Sequence, residues 1–438
     1  MNTAIDSLLR LRQRFAGEGP AWLQTRREEA RLAFQEAGLP TRRLEAWKST
    51  NLAPLAALEF ARIAPTGASM LDPKVAASLP QGVRVRSLAE LLRSEPDRIA
   101  GQLGRLADPK KNALVALQTA CLEDGVVIEL AAGSRFDEPI RIRFSSSPDV
   151  YGRPSAAFPR LLVLAGEDSE ATIFEEFVSE SPAPGFTNHV AELMLSARAH
   201  VELVRVEAEP APRIHFTSVH AELERGAHFD SHVVSLTDGL LRSELDIRLM
   251  ATGAETTMSG FFLGRGTGHV DHFTTVDHAA PHCTSAQEYR GVLGDRAKGV
   301  FRGRVIVRPG AQKTDARQSN PNILLSDTAA IDTRPQLEIY ADDIRASHGS
   351  TIGQLDADAL FFLRARGIAE AEARVLLTRA FATTIVDAIH DAGLREDVAR
   401  RVDEALARLD PALTATTKTA STTATEKKRT ATETSHEH

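Results

Sequence analysis

Residues 289–353 read YRGVLGDRAKGVFRGRVIVRPGAQKTDARQSNPNILLSDTAAIDTRPQLEIYADDIRASHGSTIG. Short apolar–polar alternations follow one another here, punctuated by Gly, Asp, Ser and Pro. Phe301, Gly303, Val305 and Val307 share one face of an extended segment, while Arg302 and Arg304 point the other way. Leu337, Ile339 and Ala341 alternate with Glu338, Tyr340 and Asp342 in the same manner. The stretch closes on Ser347-His348-Gly349, where small flanking residues let the backbone approach another surface.

Outward from this stretch, the same period-two pattern runs from about Val126 to Gly353. No amphipathic helix of useful length interrupts it. That argues against a parallel α/β fold, whose crossovers are helical. A turn followed by alanine recurs at Ala171, Ala199, Ala227 and Ala254, spaced 28, 28 and 27 residues apart, and Ala311 falls about two periods further on. Each period has room for two short strands and two turns. Stacked coils that bury their apolar faces on one another give such a repeat. A β-sandwich also has strands every 8 to 12 residues, but the repeat favours a β-helix.

The flanks read differently. Residues 1–120 form an N-terminal helical region followed by a connector. A helix is predicted over Ala21–Ala37, stopped by Gly38 and Pro40. Trp47 reads as a core anchor. Pro65, Pro73, Pro80 and Pro96 break residues 61–110 into a loosely organised connector. The β core is assigned to residues 121–355 and a C-terminal helical region to 356–410. There Leu377, Phe381, Ile385 and Ile389 make one apolar stripe, and Val398, Val402, Ala405, Leu406 and Leu409 another. Both suit packing on the β core, with partner docking as the sharper alternative. Residues 411–438 have almost no large apolar side chains and read as a disordered tail.

Composition narrows the function. A 438-residue chain with 42% hydrophobic and 25% charged residues is an ordinary soluble globular protein. A net charge of -7 argues against a general nucleic-acid binder. No run approaches a membrane span, and the N-terminus shows no secretory h-region. Two cysteines, Cys121 and Cys283, fit a reducing cytoplasm. They cannot supply the four thiolates that usually hold an iron–sulfur cluster.

Eleven of the fourteen histidines lie between His189 and His348. His228/His232 and His278/His282 have helical chelate spacing, but on a strand four residues span about 13 Å. One ion with bonds of about 2.1 Å cannot bridge that gap. His200 and His228 sit one period apart and could stack on neighbouring coils. Gly264-Arg265-Gly266-Thr267-Gly268 lacks the following helix of a dinucleotide loop and reads as a turn. The chain has no P-loop, G-x-S-x-G elbow or H-E-x-x-H motif. Asp315, Asp332, Asp342 and Asp343 suit turns better than paired catalysis. His348 is a candidate metal ligand, since a neutral imidazole can bind iron beside thiolates.

Several segments also resemble the SufB/SufD family of the SUF system for iron–sulfur cluster assembly, on its SufD side. They are Pro40-Thr41-Arg42 with Glu45, Trp47-Lys48 and Thr50; Asp124-Gly125; Pro139-Ile140; Ala311–Ala316; Leu324-Leu325-Ser326; Leu337–Asp343; Ser347-His348-Gly349; and LFFLRARGI at 360–368. The resemblance covers most of residues 20–390. It implies a mainly β protein, with a right-handed parallel β-helix flanked by α-helical regions at both ends. It also implies a scaffold subunit rather than an enzyme. Such a subunit pairs with SufB through the β-helix and binds a SufC ATPase through the C-terminal helices. A transient iron–sulfur cluster or iron is expected at the SufB-facing interface, with His348 as this chain's metal ligand. Many family members carry Cys two residues before this histidine, where this chain has Ala346. No feature supports a flavin. A homodimer in isolation is compatible with an open β-helix edge. Two other readings are a β-helix carbohydrate-active enzyme, disfavoured by an aromatic content of 5%, and a purely structural SufB partner with no ligand of its own.

Overall fold

Alternating side chains with a turn every ten or so residues build strands that need neighbours on both edges. The computed structural model describes residues 3–13, 18–63, 79–146, 152–179 and 183–409. Its strands begin with β1 (Arg62–Ile63), β2 (Val83–Ser87), β3 (Val126–Leu130), β4 (Arg135–Ser146), β5 (Ser155–Ala157), β6 (Arg160–Ala165) and β7 (Glu170–Ser179). The central coils are β8 (Gly185–Leu195), β9 (His200–Glu207), β10 (Arg213–Leu223), β11 (His228–Thr237), β12 (Leu240–Leu249) and β13 (Glu255–Gly264). The last are β14 (His269–His278), β15 (Thr284–Leu293), β16 (Lys298–Val307), β17 (Asp315–Leu324), β18 (Ala330–Ile339) and β19 (Arg345–Gly353).

From β6 onward, successive strands alternate between two sheets. One runs β18-β16-β14-β12-β10-β8-β6-β3-β2, and the other β19-β17-β15-β13-β11-β9-β7-β4. The coil-to-coil pairings are parallel, and only β2 caps its sheet antiparallel, on β3. This is a parallel β-helix core, mainly β overall, with helices at both termini. His200 pairs with Glu170 and His228, and His228 with Glu255, so these coils advance 30, 28 and 27 residues. Ala199, Ala227 and Ala254 occupy one buried corner position, as the repeat predicted. Ala171 does not belong to that set. It lies inside β7 opposite Val201, because the first of these coils is longer. Cys283, buried just before β15, takes the corner place of the alanines.

The N-terminal region packs along the β-helix. It contains α1 (Thr3–Arg12), α2 (Ala21–Ala37), α3 (Ala53–Ala56), α4 (Leu88–Ser94) and α5 (Ala113–Ala120). Helix α2 has the predicted bounds, and Gly38 closes it at φ +66°, a conformation glycine adopts without strain. Trp47 is buried and stacks on Phe216 of β10 at 5.6 Å, with the Arg242 guanidinium 4.0 Å from its ring centroid. Residues 79–110 are not the loose connector expected from their prolines. Leu88, Leu91, Leu92, Ile99 and Leu103 form a buried cluster with Val127 and Leu162 of the β-helix. Prolines 80 and 96 end elements there without preventing packing. Pro65 and Pro73 lie outside the described residues, as does the 411–438 tail.

C-terminal helices α6 (Ala357–Arg364), α7 (Glu370–Val386) and α8 (Ala392–Ala407) follow β19. Ile385, Ile389, Val398, Val402 and Leu406 pack on Phe174, Val204, Val234, Phe261 and Val292. The apolar stripes of α7 and α8 are therefore largely used in holding these helices to the β-helix. Helix α6 buries none of its residues.

A buried ion pair links the N-terminal region to the coils. Arg160 of β6 donates to Glu192 of β8, and both side chains are almost fully enclosed. Glu192 also accepts the backbone N–H groups of Gly104 (2.7 Å), Leu106 (2.7 Å) and Ala107 (3.1 Å). Burial alone would raise its pKa, but Arg160 and these donors hold it below the usual carboxylate value. Replacing Glu192 with Ala leaves the arginine charge and three N–H groups buried without this partner. The expected loss is about 3–5 kcal/mol, read as a lower midpoint in urea unfolding.

Candidate functional site

A parallel β-helix satisfies each coil's backbone with the coils before and after it. Among the described residues that pairing stops at β18 and β19. Strand β19 pairs with β17 on one side, and its other edge carries no strand. Rows of N–H and C=O groups are thus presented outward, the usual template for another chain.

His348 lies on this terminal strand, in register with Gln318. Gln318 in turn pairs with Gln287, and Gln287 with Met258, so His348 stands on the face that lines the interior further back. Gln318 is buried and donates to Gln287 Oε1 at 2.5 Å. Gly303 on the opposite sheet leaves room for that amide, which a Cβ there would overlap. Beside this pair, Asn320 donates to the Tyr289 carbonyl at 2.9 Å and accepts from Thr333 at 2.8 Å. The last interior layers are therefore amide-rich and hydrogen-bonded. His348, Ser350 and Ile352 continue the same rows but are exposed, because no further coil covers them. Ile339, Tyr340 and Ile352 add exposed apolar surface at this end.

The N-terminal motif anchors the terminal coils. Arg334 of β18 contacts Glu45 Oε1 at 2.9 Å, Ser49 donates to Asp332, and Arg302 donates to the Glu45 carbonyl. Thr50 donates to Asp271. Asp124 accepts from the Ala89 N–H (2.8 Å) and Ser87 hydroxyl (3.0 Å), and a Cβ at Gly125 would strike the Arg160 carbonyl. These motifs hold structure.

Other candidates separate cleanly. Asp315 pairs with Arg317 (3.0 Å), Asp332 with Arg334 (3.1 Å) and Asp343 with Lys313, while Asp342 is exposed. The Gly264–Gly268 segment is the turn between β13 and β14. His228 and His232 lie four apart on β11, and His278 ends β14 with His282 beyond it, so neither pair is a helical chelate. His200 and His228 do meet, in register on β9 and β11. Cys121 is buried, and burial pushes its thiol up to about 12. Cys283 is also buried, with its thiol raised by the same cause. Ala346 stands two residues before His348 on the same strand face, about 7 Å away along the strand.

Family models match this architecture. "SUF system FeS cluster assembly, SufBD core domain" matches residues 147–381, and "SufBD protein N-terminal region" matches 67–142. The chain belongs to the SufBD family of the SUF iron–sulfur cluster assembly system. It is 28% identical over 379 residues to Escherichia coli SufD, covering 84% of this chain and 90% of that protein. A SufBD family protein of Synechocystis is 28% identical over 415 residues, covering 87% and 90% of the two chains. SufD of Bacillus subtilis is 23% identical over 290 residues, covering 66% and 65%. The SufBD core match includes the open end, His348 and α6. No helix among the described residues is long and apolar enough to cross a membrane.

Interior histidines of this SufBD chain give it a pH response. Burial holds His272 and His278 neutral, with pKa lowered to about 4. Glu207 and Asp271 act in the opposite direction on His272, and Asp277 on His278; Arg205 adds to the lowering at His272. Unfolded, both regain a pKa near 6.5, so the unfolded chain binds more protons between these values. Their contribution is full above about pH 6.5 and is lost as pH falls towards about 4. Urea midpoints measured across that window should fall with pH, and His272→Gln should flatten the slope.

Proposed function

We propose that this chain is the SufD-type subunit of a SufB–SufC–SufD scaffold on which iron–sulfur clusters are built. The observation that supports it best is the unpaired β18–β19 end, with His348 exposed on its last rung. A SufB-type β-helix adding strands to this edge would satisfy the outward backbone groups and cover Ile339, Tyr340 and Ile352. It would also enclose His348 beside whatever thiolates the partner offers. This chain has Ala346 at the family's cysteine position and buries both of its cysteines, so the thiolates come from the partner. His348 supplies a neutral imidazole to iron or to a nascent cluster, as transient cargo.

ATP hydrolysis falls to a SufC-type ATPase, since the chain has no P-loop. Its docking surface is α6 and the start of α7. Phe361 and Phe362 are 73% and 54% exposed there, and Leu376 is 40% exposed. Aromatic side chains left in water at a helix surface are the usual anchors of a protein contact. The two helices behind them are fixed to the β-helix, so movement of the ATPase would be transmitted to the scaffold.

Two measurements test this. In the reconstituted complex, His348→Ala should lower cluster formation roughly tenfold or more without changing the mass of the complex. Unchanged cluster formation would leave this chain a purely structural partner of SufB. Joint replacement of Phe361 and Phe362 with Ser should weaken binding of the ATPase by about 2 kcal/mol or more, measured by titration calorimetry. Full binding by that variant would remove α6 from the docking surface.

A further inference from the structure

Away from the open end, one outer face of the β-helix gathers donors that the assembly role leaves unused. On β9 and β11 the first residues are His200 and His228, paired in register with ring centroids 4.7 Å apart. Both direct Nε2 at one carboxylate. His200 Nε2 lies 2.8 Å from Asp230 Oδ2, and His228 Nε2 lies 3.0 Å from Asp230 Oδ1. Asp230 is buried, while the two imidazoles are about one-third exposed. One donor atom from each residue can be chosen so that all three lie within 4.8 Å of one another.

The surroundings reinforce the cluster. Glu170 precedes His200 in the ladder and Glu255 follows His228. Glu202, the register mate of Asp230, lies 3.3 Å from His232 Nε2 and 3.3 Å from His390 Nδ1, and accepts the His390 backbone N–H at 2.9 Å. His390 lies between α7 and α8, and its Nδ1 is 4.0 Å from Asp230 Oδ2. The cluster therefore sits where the C-terminal helical pair meets the β-helix.

The geometry points to a divalent first-row metal site formed by His200, His228 and Asp230. Two imidazoles and one carboxylate are a donor set for Zn²⁺ or a similar borderline ion. The ligand atoms of a tetrahedral zinc site stand about 3.3 Å apart, from bonds of about 2.0–2.1 Å. Small rotations of two partly exposed rings bring this set to that spacing. The ion takes the place of the hydrogen bonds that now join each Nε2 to Asp230, each neutral ring carrying its proton on Nδ1 instead, and protons compete with the ion for the same nitrogens, so binding weakens at low pH. Solvent reaches the site through the exposed edges of both rings. Neighbouring carboxylates favour a cation there, and Glu202 fixes the backbone of His390 beside it. The parallel register makes this possible, because it places residues 28 apart in sequence side by side.

Zn²⁺ titration of the chelator-stripped full-length chain tests the site. His436→Ala and His438→Ala form the common background, so that tail imidazoles add no binding. One equivalent should bind, and His200→Gln or His228→Gln should each weaken it at least roughly tenfold. Both positions are partly exposed, and circular dichroism checks that the variants fold. Co²⁺ in the unsubstituted chain should give the visible bands of a low-coordinate ion, lost in Asp230→Asn. Absence of stoichiometric binding, or binding and spectra indifferent to these substitutions, would overturn the site and leave a hydrogen-bonded His–Asp–His network.

Discussion

The strands of each coil in this molecule have their backbone hydrogen bonds completed chiefly by the coils before and after it. That single constraint shapes the rest. Because pairing is parallel and in register, side chains at equivalent positions stack into rows along the axis. Apolar rows make the core, polar rows run inside the last coils, and outer rows bring distant residues into contact. The same constraint makes both ends of the stack incomplete. Antiparallel β2 and the packed N-terminal segment cap one end. At the other, β18 and β19 carry no cap among the described residues. The pairing proposed with a second β-helix would use this end.

The flanking helices divide their work unequally. The Glu45–Thr50 segment grips β14, β16 and β18 through Asp271, Arg302, Asp332 and Arg334, setting the position of the terminal coils. Helices α7 and α8 use their apolar stripes against the opposite sheet. Among the described helices only α6 stands clear, with its phenylalanines in solvent. The terminal coil and α6 lie close in sequence, so the surfaces proposed for strand pairing and for ATPase docking adjoin in one chain.

Much of this was legible in the sequence because it rests on local chemistry. Period-two alternation and turn residues gave the coils, and Gly38 with Pro40 marked the end of α2. The repeat was partly misread through Ala171, since coil length varies and the corner tolerates Cys283 as well as alanine. Proline counting misjudged residues 79–110, where buried leucines decide the structure. His348 was visible as a candidate, but its place at the end of an interior row was not, because that depends on where pairing stops. Gln318 and Asn320 were missed, although polar residues at inward positions were the available signal. The meeting of His200 and His228 was visible as a one-period spacing, whereas Asp230 and His390 needed the folded register.

Hydrogen–deuterium exchange over residues 330–353 tests the central claim most directly. In the chain alone, outward amides of β19 should exchange rapidly while those of β11 and β13 stay protected. Adding the SufB-type partner should slow exchange in β18 and β19 and leave the central coils unchanged. If the terminal strands are already protected in the monomer, or gain no protection when the partner binds, then the open end is not the pairing surface and the account fails.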